Sequence, residues 1–398
     1  MNSLLFWAGL PLYVAAAYLL LNVLYLLAFA LAGHLPARPR LASAVSGPPR
    51  RMCVLMPAYH ADAVIRETAP AALAHAYAGP ADVCVVADGL QASTVAALKT
   101  DGVNVVEVNF AQSTKGKALL AALTALPADQ YDVAVILDVD NVMGADFLTQ
   151  VNDAFAAGNR VVQGHRTAKN LDSPFAVLDA CNEEINNHIF RLGHARLGMS
   201  PSLIGSGMAF EYDYLKSLLQ DIGDTPGEDK ELDFRILRDR VKIAYLPEAL
   251  VYDEKIGSAA VFGTQRTRWM AAQWEFLLKY SGEGFRQLGR GNWEFFDKIV
   301  QTALLPRVLL LGLLTLLVLM SWILPFGPTP GFWAALLLGT GAALLLALPR
   351  RLYSRQVALA AAHLPVALGA MALALLQLKK AKTSFLPTPH AATASRPT

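Results

Sequence analysis

Cysteine is nearly absent from this 398-residue chain. Its three cysteines, Cys53, Cys84 and Cys181, stand apart, in odd number and without CxxC spacing. That excludes a disulfide framework and a thiolate zinc site, and marks them as reduced, buried residues. Charge is scarce too, at 17% of residues, and a net charge of +2 offers no basic field for a nucleic-acid partner. Internal repeats and long low-complexity tracts are missing, so the chain is not a repeat array. Charged residues are lacking altogether over 4–31, 308–326 and 331–348.

What replaces charge is apolar bulk. At 54% hydrophobic, the chain is more apolar than an ordinary soluble protein, and the excess sits at its two ends. The run 4–31 is long enough to span a bilayer. A cleaved signal peptide is the alternative, and Ala28-Phe29-Ala30 resembles a cleavage site. However, no Lys or Arg precedes the run, and it is about twice the usual length of a signal core. Arg38, Arg40, Arg50 and Arg51 follow it, which places residues 34 onward in the cytoplasm. A fourth apolar run, 357–378, carries Pro365 at its middle and precedes Lys379, Lys380 and Lys382. It reads as a broken or interfacial helix with the C-terminus inside.

Between the ends, short apolar runs alternate with helical stretches. Residues 52–57, 82–87, 103–108 and 132–137 read as buried strands. Residues 118–126 read as a helix between them, giving an α/β domain with a mainly parallel sheet. Further on, 176–196 looks helical, 203–210 is a Gly-rich loop entering a short strand, and 228–238 starts a helix. An aromatic helix spans 262–280. The segment 282–300 carries Phe285, Trp293, Phe295 and Phe296 among charges and suits a membrane interface. The expected organisation is a transmembrane helix over 1–33, a Pro/Arg/Ala-rich linker over 34–50 and a cytosolic domain over 51–280. An interfacial helix over 281–300, membrane helices over 301–383 and a tail over 384–398 complete it.

Ligands of such sheets sit beyond the carboxyl ends of the strands, and Asp88 and Asp138 lie at two of those ends. Asp138-Val139-Asp140 supplies hard oxygen ligands suited to Mg²⁺ or Mn²⁺, although DxD alone is more often a solvated turn. Lys115-Gly116-Lys117 precedes a helix start, a fair anion site or a solvated pair of charges. Asp88 is an acceptor for a nucleobase or ribose, or an Asp-Gly turn residue. Gly227-Glu228-Asp229 opens a helix, where a carboxylate serves as cap or as general base. Gln265-Arg266-Thr267-Arg268-Trp269 combines guanidinium forks for diphosphate with an indole for a sugar face. His165, His188 and His194 fit no helical metal face and read as surface or acceptor-side residues.

Taken in order over residues 52–269, a strand-end Asp, a Gly-Lys helix start, DxD, Glu-Asp and QxxRW resemble the membrane-embedded family 2 glycosyltransferases. These include cellulose, hyaluronan and chitin synthases and ceramide glucosyltransferases. The resemblance implies a Rossmann-like GT-A fold and inverting transfer from a UDP-sugar with Mg²⁺ or Mn²⁺ as cofactor. It implies Asp229 as catalytic base, with Asp88, Lys117, Asp138, Gln265 and Arg268 binding the donor. Asp140, with Asp138, would hold the metal, and Gly205, Ser206 and Trp269 would face the acceptor. Two positions depart from the pattern: Ala87-Asp88 replaces a paired Asp, and His60-Ala61 replaces Asn-Glu. The favoured reading is a multi-pass inner-membrane enzyme, catalytic domain cytoplasmic, that extends and extrudes a β-polysaccharide. Transfer of a single sugar to a membrane lipid is the alternative. Few spans for a channel point to lipid transfer or to a homo-oligomer.

Overall fold

The computed structural model describes residues 3–369 apart from 38–47, 128, 226, 256–258, 325 and 367, and, for 3–8 and 259–268, the backbone only. Eight strands form one sheet: β1 (Met52–Tyr59), β2 (Ala81–Asp88), β3 (Asn104–Val108), β4 (Val133–Ile136), β5 (Val142–Met143), β6 (Val161–Ala168), β7 (Met208–Glu211) and β8 (Ile243–Asp253). Helix α1 (Ser3–Ala32) precedes it. The helices α2 (Asp62–Leu73), α3 (Ala92–Thr100), α4 (Lys115–Ala125), α5 (Phe147–Ala156), α6 (Pro174–Asn186), α7 (His194–Leu197), α8 (Tyr212–Leu219) and α9 (Glu228–Arg238) lie between its strands. After it come α10 (Ala259–Gly289), α11 (Trp293–Ala303), α12 (Arg307–Ser321), α13 (Pro330–Ala347) and α14 (Arg355–Ala361).

β1 is apolar along almost its whole length because both of its faces are covered, as in a central parallel strand. Alternation divides its side chains between two cores. Met52, Val54 and Met56 meet Ile65 and Ala69 of α2 and Phe147 and Val151 of α5. Cys53 and Leu55 meet Leu119 and Leu123 of α4 and Leu215 and Leu219 of α8. Cys53, Cys84 and Cys181 are free and buried.

The strand order is β3-β2-β1-β4-β7-β6-β8-β5. β3, β2, β1 and β4 run parallel, as expected. The other half is mixed: β7 is antiparallel to both β4 and β6, while β8 is parallel to β6. Chain connections leave β1 for β2 on one side and return to β4 on the other. That divergence opens a crevice at the carboxyl ends of β1, β2 and β4. Asp88 closes β2 and Asp138 follows β4.

Helices α1 and α13 are long and apolar enough to cross a membrane. α11 and α12 together are a third such stretch, bent by 58°. Leu19, Val23 and Leu26 of α1 share one core with Leu310, Leu314 and Leu317 of α12 and with Trp333, Leu336 and Ala343 of α13, and α13 packs against both other helices. Pro306 caps α12 at the bend, where proline cannot continue the helical hydrogen bonding. In an apolar surrounding the interrupted backbone needs internal partners. It has them: Asn22 Oδ1 accepts from Leu305 N–H at 2.9 Å, and Tyr18 donates to the Ala303 carbonyl at 2.6 Å. Gln273 of α10 donates to the Thr302 and Leu304 carbonyls at 2.8 and 2.7 Å.

α10 runs 31 residues and joins the expected aromatic helix to the first part of the segment at 282–300, with α11 taking the remainder. Trp274, Leu278 and Phe285 are exposed along it at helical spacing. Of the fourth apolar run, residues 357–366, 368 and 369 are described: α14 ends at Ala361 and a turn at 362–363 precedes Pro365, while the tail lies outside the described residues.

The three histidines are not surface residues. A π-helical turn, Asn187–Gly193, joins α6 to α7 and turns His194 fully inward. Its Nε2 lies 2.9 Å from the Tyr25 hydroxyl of α1 and 3.2 Å from Asp297 of α11. His165 is held between Glu184, at 3.1 Å, and Tyr245, at 3.0 Å. His188 lies 2.8 Å from the Ala30 carbonyl. Each fills a polar slot between elements distant in sequence.

Candidate active site

The chain leaves β4 and turns at once, with the Asn141 N–H bonded to the Asp138 carbonyl at 3.0 Å. The turn ends the alternation that would have sent the two DxD carboxylates to opposite faces. Asp138 faces two cations. The Lys115 ammonium, at the first turn of α4, donates to its Oδ1, and Arg166 Nη1 of β6 stands 3.9 Å from its Oδ2. Burial pushes the Asp138 carboxyl above its ordinary range, against the pull of Lys115. Burial alone would lower the Lys115 ammonium, but Asp138 and Glu228 outweigh it and hold the charge firmly.

Lys115 also reaches the acidic helix start. Its Nζ lies 3.5 Å from Glu228 Oε1 and 2.6 Å from the Gly205 carbonyl. Gly205 adopts φ +83°, a left-handed conformation that suits glycine. A Cβ there would stand 3.7 Å from Glu228 Oε1 and 4.0 Å from the Asp229 Cβ. The loop before β7, the start of α9 and the DxD turn therefore meet around one ammonium. Asp229 is half-buried, and its Oδ1 accepts the Lys230 N–H at 2.8 Å.

Burial pushes the Glu228 carboxyl up to about 7, more than Lys115 beside it pulls it down. Its folded value exceeds its unfolded value of about 4.3. Its contribution to stability is therefore complete below that unfolded value and is lost as pH rises through about 7. Glu228→Gln should flatten the fall in stability across this window, by up to about 3 kcal/mol. Denaturation of the detergent-solubilised protein at pH 5 and pH 8 measures it. An unchanged pH dependence would mean that Glu228 ionises as an ordinary carboxylate.

Asp88 is buried at the tip of β2, and its Oδ2 has no hydrogen-bond partner. Beside it the His60 ring lies over Gly89, whose φ is +70°. A Cβ at Gly89 would come within 2.3 Å of His60 Cε1, so a larger residue there would displace the His60 ring and strain the left-handed backbone.

The other expected positions have the following surroundings. Lys117, expected at the nucleotide, pairs with Asp224 and donates to the Gln112 carbonyl at 3.1 Å. Lys115, two residues earlier, takes the place at the DxD, because α4 begins there and not at Ala118. Ser206, expected to face the acceptor, is fully buried. Its hydroxyl accepts the Asp138 N–H at 3.0 Å and donates to Asn141 Oδ1 at 2.5 Å. Gln265 and Arg268 belong to α10, but their side chains lie outside the described residues. Trp269, one residue on, is 40% exposed. Sequence reasoning marked Lys115 only as part of an anion site and passed over Asn141, Arg166 and Asp253. Asn141 adjoins a recognised motif, whereas nothing local marks Arg166 and Asp253. Arg166 Nε bonds Glu183 at 2.6 Å and stands 3.8 Å from Asp253. Burial would raise the Asp253 carboxyl, but Lys255 and Arg166 hold it far below the usual carboxylate range.

The donor set fits a hard divalent cation. Asp140 and Asp138 provide carboxylate oxygens, and among the described residues no cluster of three or more His, Cys, Asp or Glu forms a closed cage. Mg²⁺ is held in this sparse way, by one or two carboxylates together with substrate phosphates and water.

Among solved structures, the fold is similar to a mannosyltransferase from Pyrobaculum calidifontis determined with GDP-mannose and Mn²⁺. Identity is 17%, coverage is 94% of this chain and 98% of that one, and the TM-score is 0.51. A glucosyl-3-phosphoglycerate synthase from Mycobacterium tuberculosis, determined with Mn²⁺, UDP and glucosyl-3-phosphoglycerate, is 19% identical over 56% of this chain and 78% of that one, with a TM-score of 0.33. No curated protein sequence matches the chain. The sequence matches glycosyltransferase-like family 2 over residues 48–272. More than half of the chain lies within that match, so the protein belongs to this family and is a glycosyltransferase.

Proposed function

We propose that the protein is an inverting, membrane-bound enzyme that transfers one sugar from a UDP-sugar to the hydroxyl of a membrane lipid at the cytoplasmic face. The meeting of the DxD turn, the Gly205 loop and the acidic start of α9 around Lys115 is the observation that carries the reaction. It supports a donor side and an acceptor side within one short reach. The unpartnered Asp88 Oδ2 suits the N3–H of uracil. Asp229 takes the proton of the acceptor hydroxyl as its oxygen attacks the anomeric carbon, and UDP leaves with the bonding pair on the opposite face. Asp140, with Asp138, would hold Mg²⁺ or Mn²⁺, whose charge stabilises the departing diphosphate. Lys115 adds a fixed positive charge beside it.

The packing of α1, α12 and α13 favours a lipid acceptor over a growing polymer. Their facing leucines fill the bundle among the described residues, where a translocated chain would need a polar passage. The exposed Trp274, Leu278 and Phe285 of α10 suit the headgroup boundary, at the level of a lipid hydroxyl. Incubating the protein in liposomes with labelled UDP-sugars and resolving the products tests this reading. A single-sugar lipid is the expected product. A long polymer would replace the reading with processive synthesis, and use of GDP-sugars alone would overturn the assignment of uracil to Asp88.

A further inference from the structure

We propose that Asn141 is a positioning residue for Asp140, orienting that carboxylate toward the metal from the buried side. The inference rests on the reading of Asp140 as a metal-holding group. Asn141 directly follows the DxD and is 1% exposed. Its amide serves three neighbours directly and a fourth through Ser206. Nδ2 donates to Asp140 Oδ1 at 3.1 Å and to Asp253 Oδ1 at 2.8 Å. Oδ1 accepts the Ser206 hydroxyl, whose oxygen accepts the Asp138 N–H at 3.0 Å.

A single buried side chain thus ties both acids of the DxD to the loop before β7 and to the end of β8, 65 and 112 residues away. The far anchors are themselves held. Gln163, fully buried, donates to the Ser206 carbonyl at 3.0 Å. Lys255 donates to Asp253 Oδ2 at 2.5 Å. The chemistry requires an amide, because only an amide offers two donors and an acceptor in one planar group. Aspartate at 141 would offer no donor and would face two carboxylates. Alanine would remove the Asn141 donor from Asp140. Neighbours that fix a ligating carboxylate in this way typically set metal affinity or activity by about 10–100-fold.

Mn²⁺ binding, read by the EPR signal of free Mn²⁺ in the presence of UDP and without donor sugar, tests the role apart from turnover. Asn141→Ala should raise the Mn²⁺ Kd by about 10–100-fold while UDP binding in EDTA stays unchanged. Ser206→Ala, which removes a support of Asn141 and leaves its amide, should raise the Kd in the same direction but less. An unchanged Kd in folded Asn141→Ala overturns the proposal. If that variant does not fold, an unchanged Kd in Ser206→Ala overturns it. Asp140→Ala separates the two levels. Mn²⁺ binding that survives there refutes the metal reading itself. Binding lost there but normal in Asn141→Ala refutes the positioning role alone.

Discussion

Asp229→Asn is expected to cut kcat by about 10²–10⁴-fold, the usual contribution of a positioned general base. The substitution is close to isosteric. Its amide oxygen can still accept the Lys230 N–H that Asp229 Oδ1 now accepts at 2.8 Å, so the start of α9 is preserved. The Lys115 contacts to Asp138, Gly205 and Glu228 do not pass through Asp229. Affinity for UDP should therefore stay at the wild-type value, and only the capacity to take a proton is lost. Equilibrium binding of UDP beside single-turnover rates distinguishes the two effects. If the variant turns over at the wild-type rate, Asp229 is a helix-start carboxylate. Glu228, its buried neighbour, then becomes the candidate base.

Asp140→Ala is expected to lower activity by at least about 10²–10³-fold, the scale seen when one element of leaving-group charge stabilisation is removed. EDTA should reproduce the loss in the wild type, and Mn²⁺ or Mg²⁺ should restore it. Asp138→Ala should also register in a second readout. Asp138 faces both Lys115 and Arg166, so Asp138→Ala leaves two buried cations short of a counter-charge and should also lower the melting temperature. Activity persisting in Asp140→Ala, or insensitivity to EDTA, would point to a mechanism that needs no metal.

The parallel half of the fold was legible because its signals are local. A strand covered on both faces must be apolar throughout, so β1, β2 and β4 stand out in the sequence, and Asp88 and Asp138 mark their carboxyl ends. The charge-free runs were legible for the same reason, since a membrane segment needs only length and hydropathy. The four-residue β7 carries too little pattern to reveal that it inserts antiparallel between β4 and β6. That pairing depends on the backbone edges of two strands distant in sequence, which must find partners for their N–H and C=O groups.

The candidate site divides along the same line. Residue types and their order were enough to point to the family, which the match over residues 48–272 bears out, and to propose the DxD and the Glu-Asp pair as its chemistry. Which lysine serves the DxD depended on where α4 begins, and Thr114 decides that by capping the Lys117 N–H at 3.3 Å. Whether Ser206 meets an acceptor or holds the DxD depended on a hydroxyl meeting Asn141 across 65 residues of chain. His194 became a buried link between α1 and α11 only through a π-helical turn and two partners from distant helices. Sequence alone determined the chemistry available to this protein. Tertiary structure decided which copy of each group faces the reaction, because burial and hydrogen-bond partners are properties of the assembled chain.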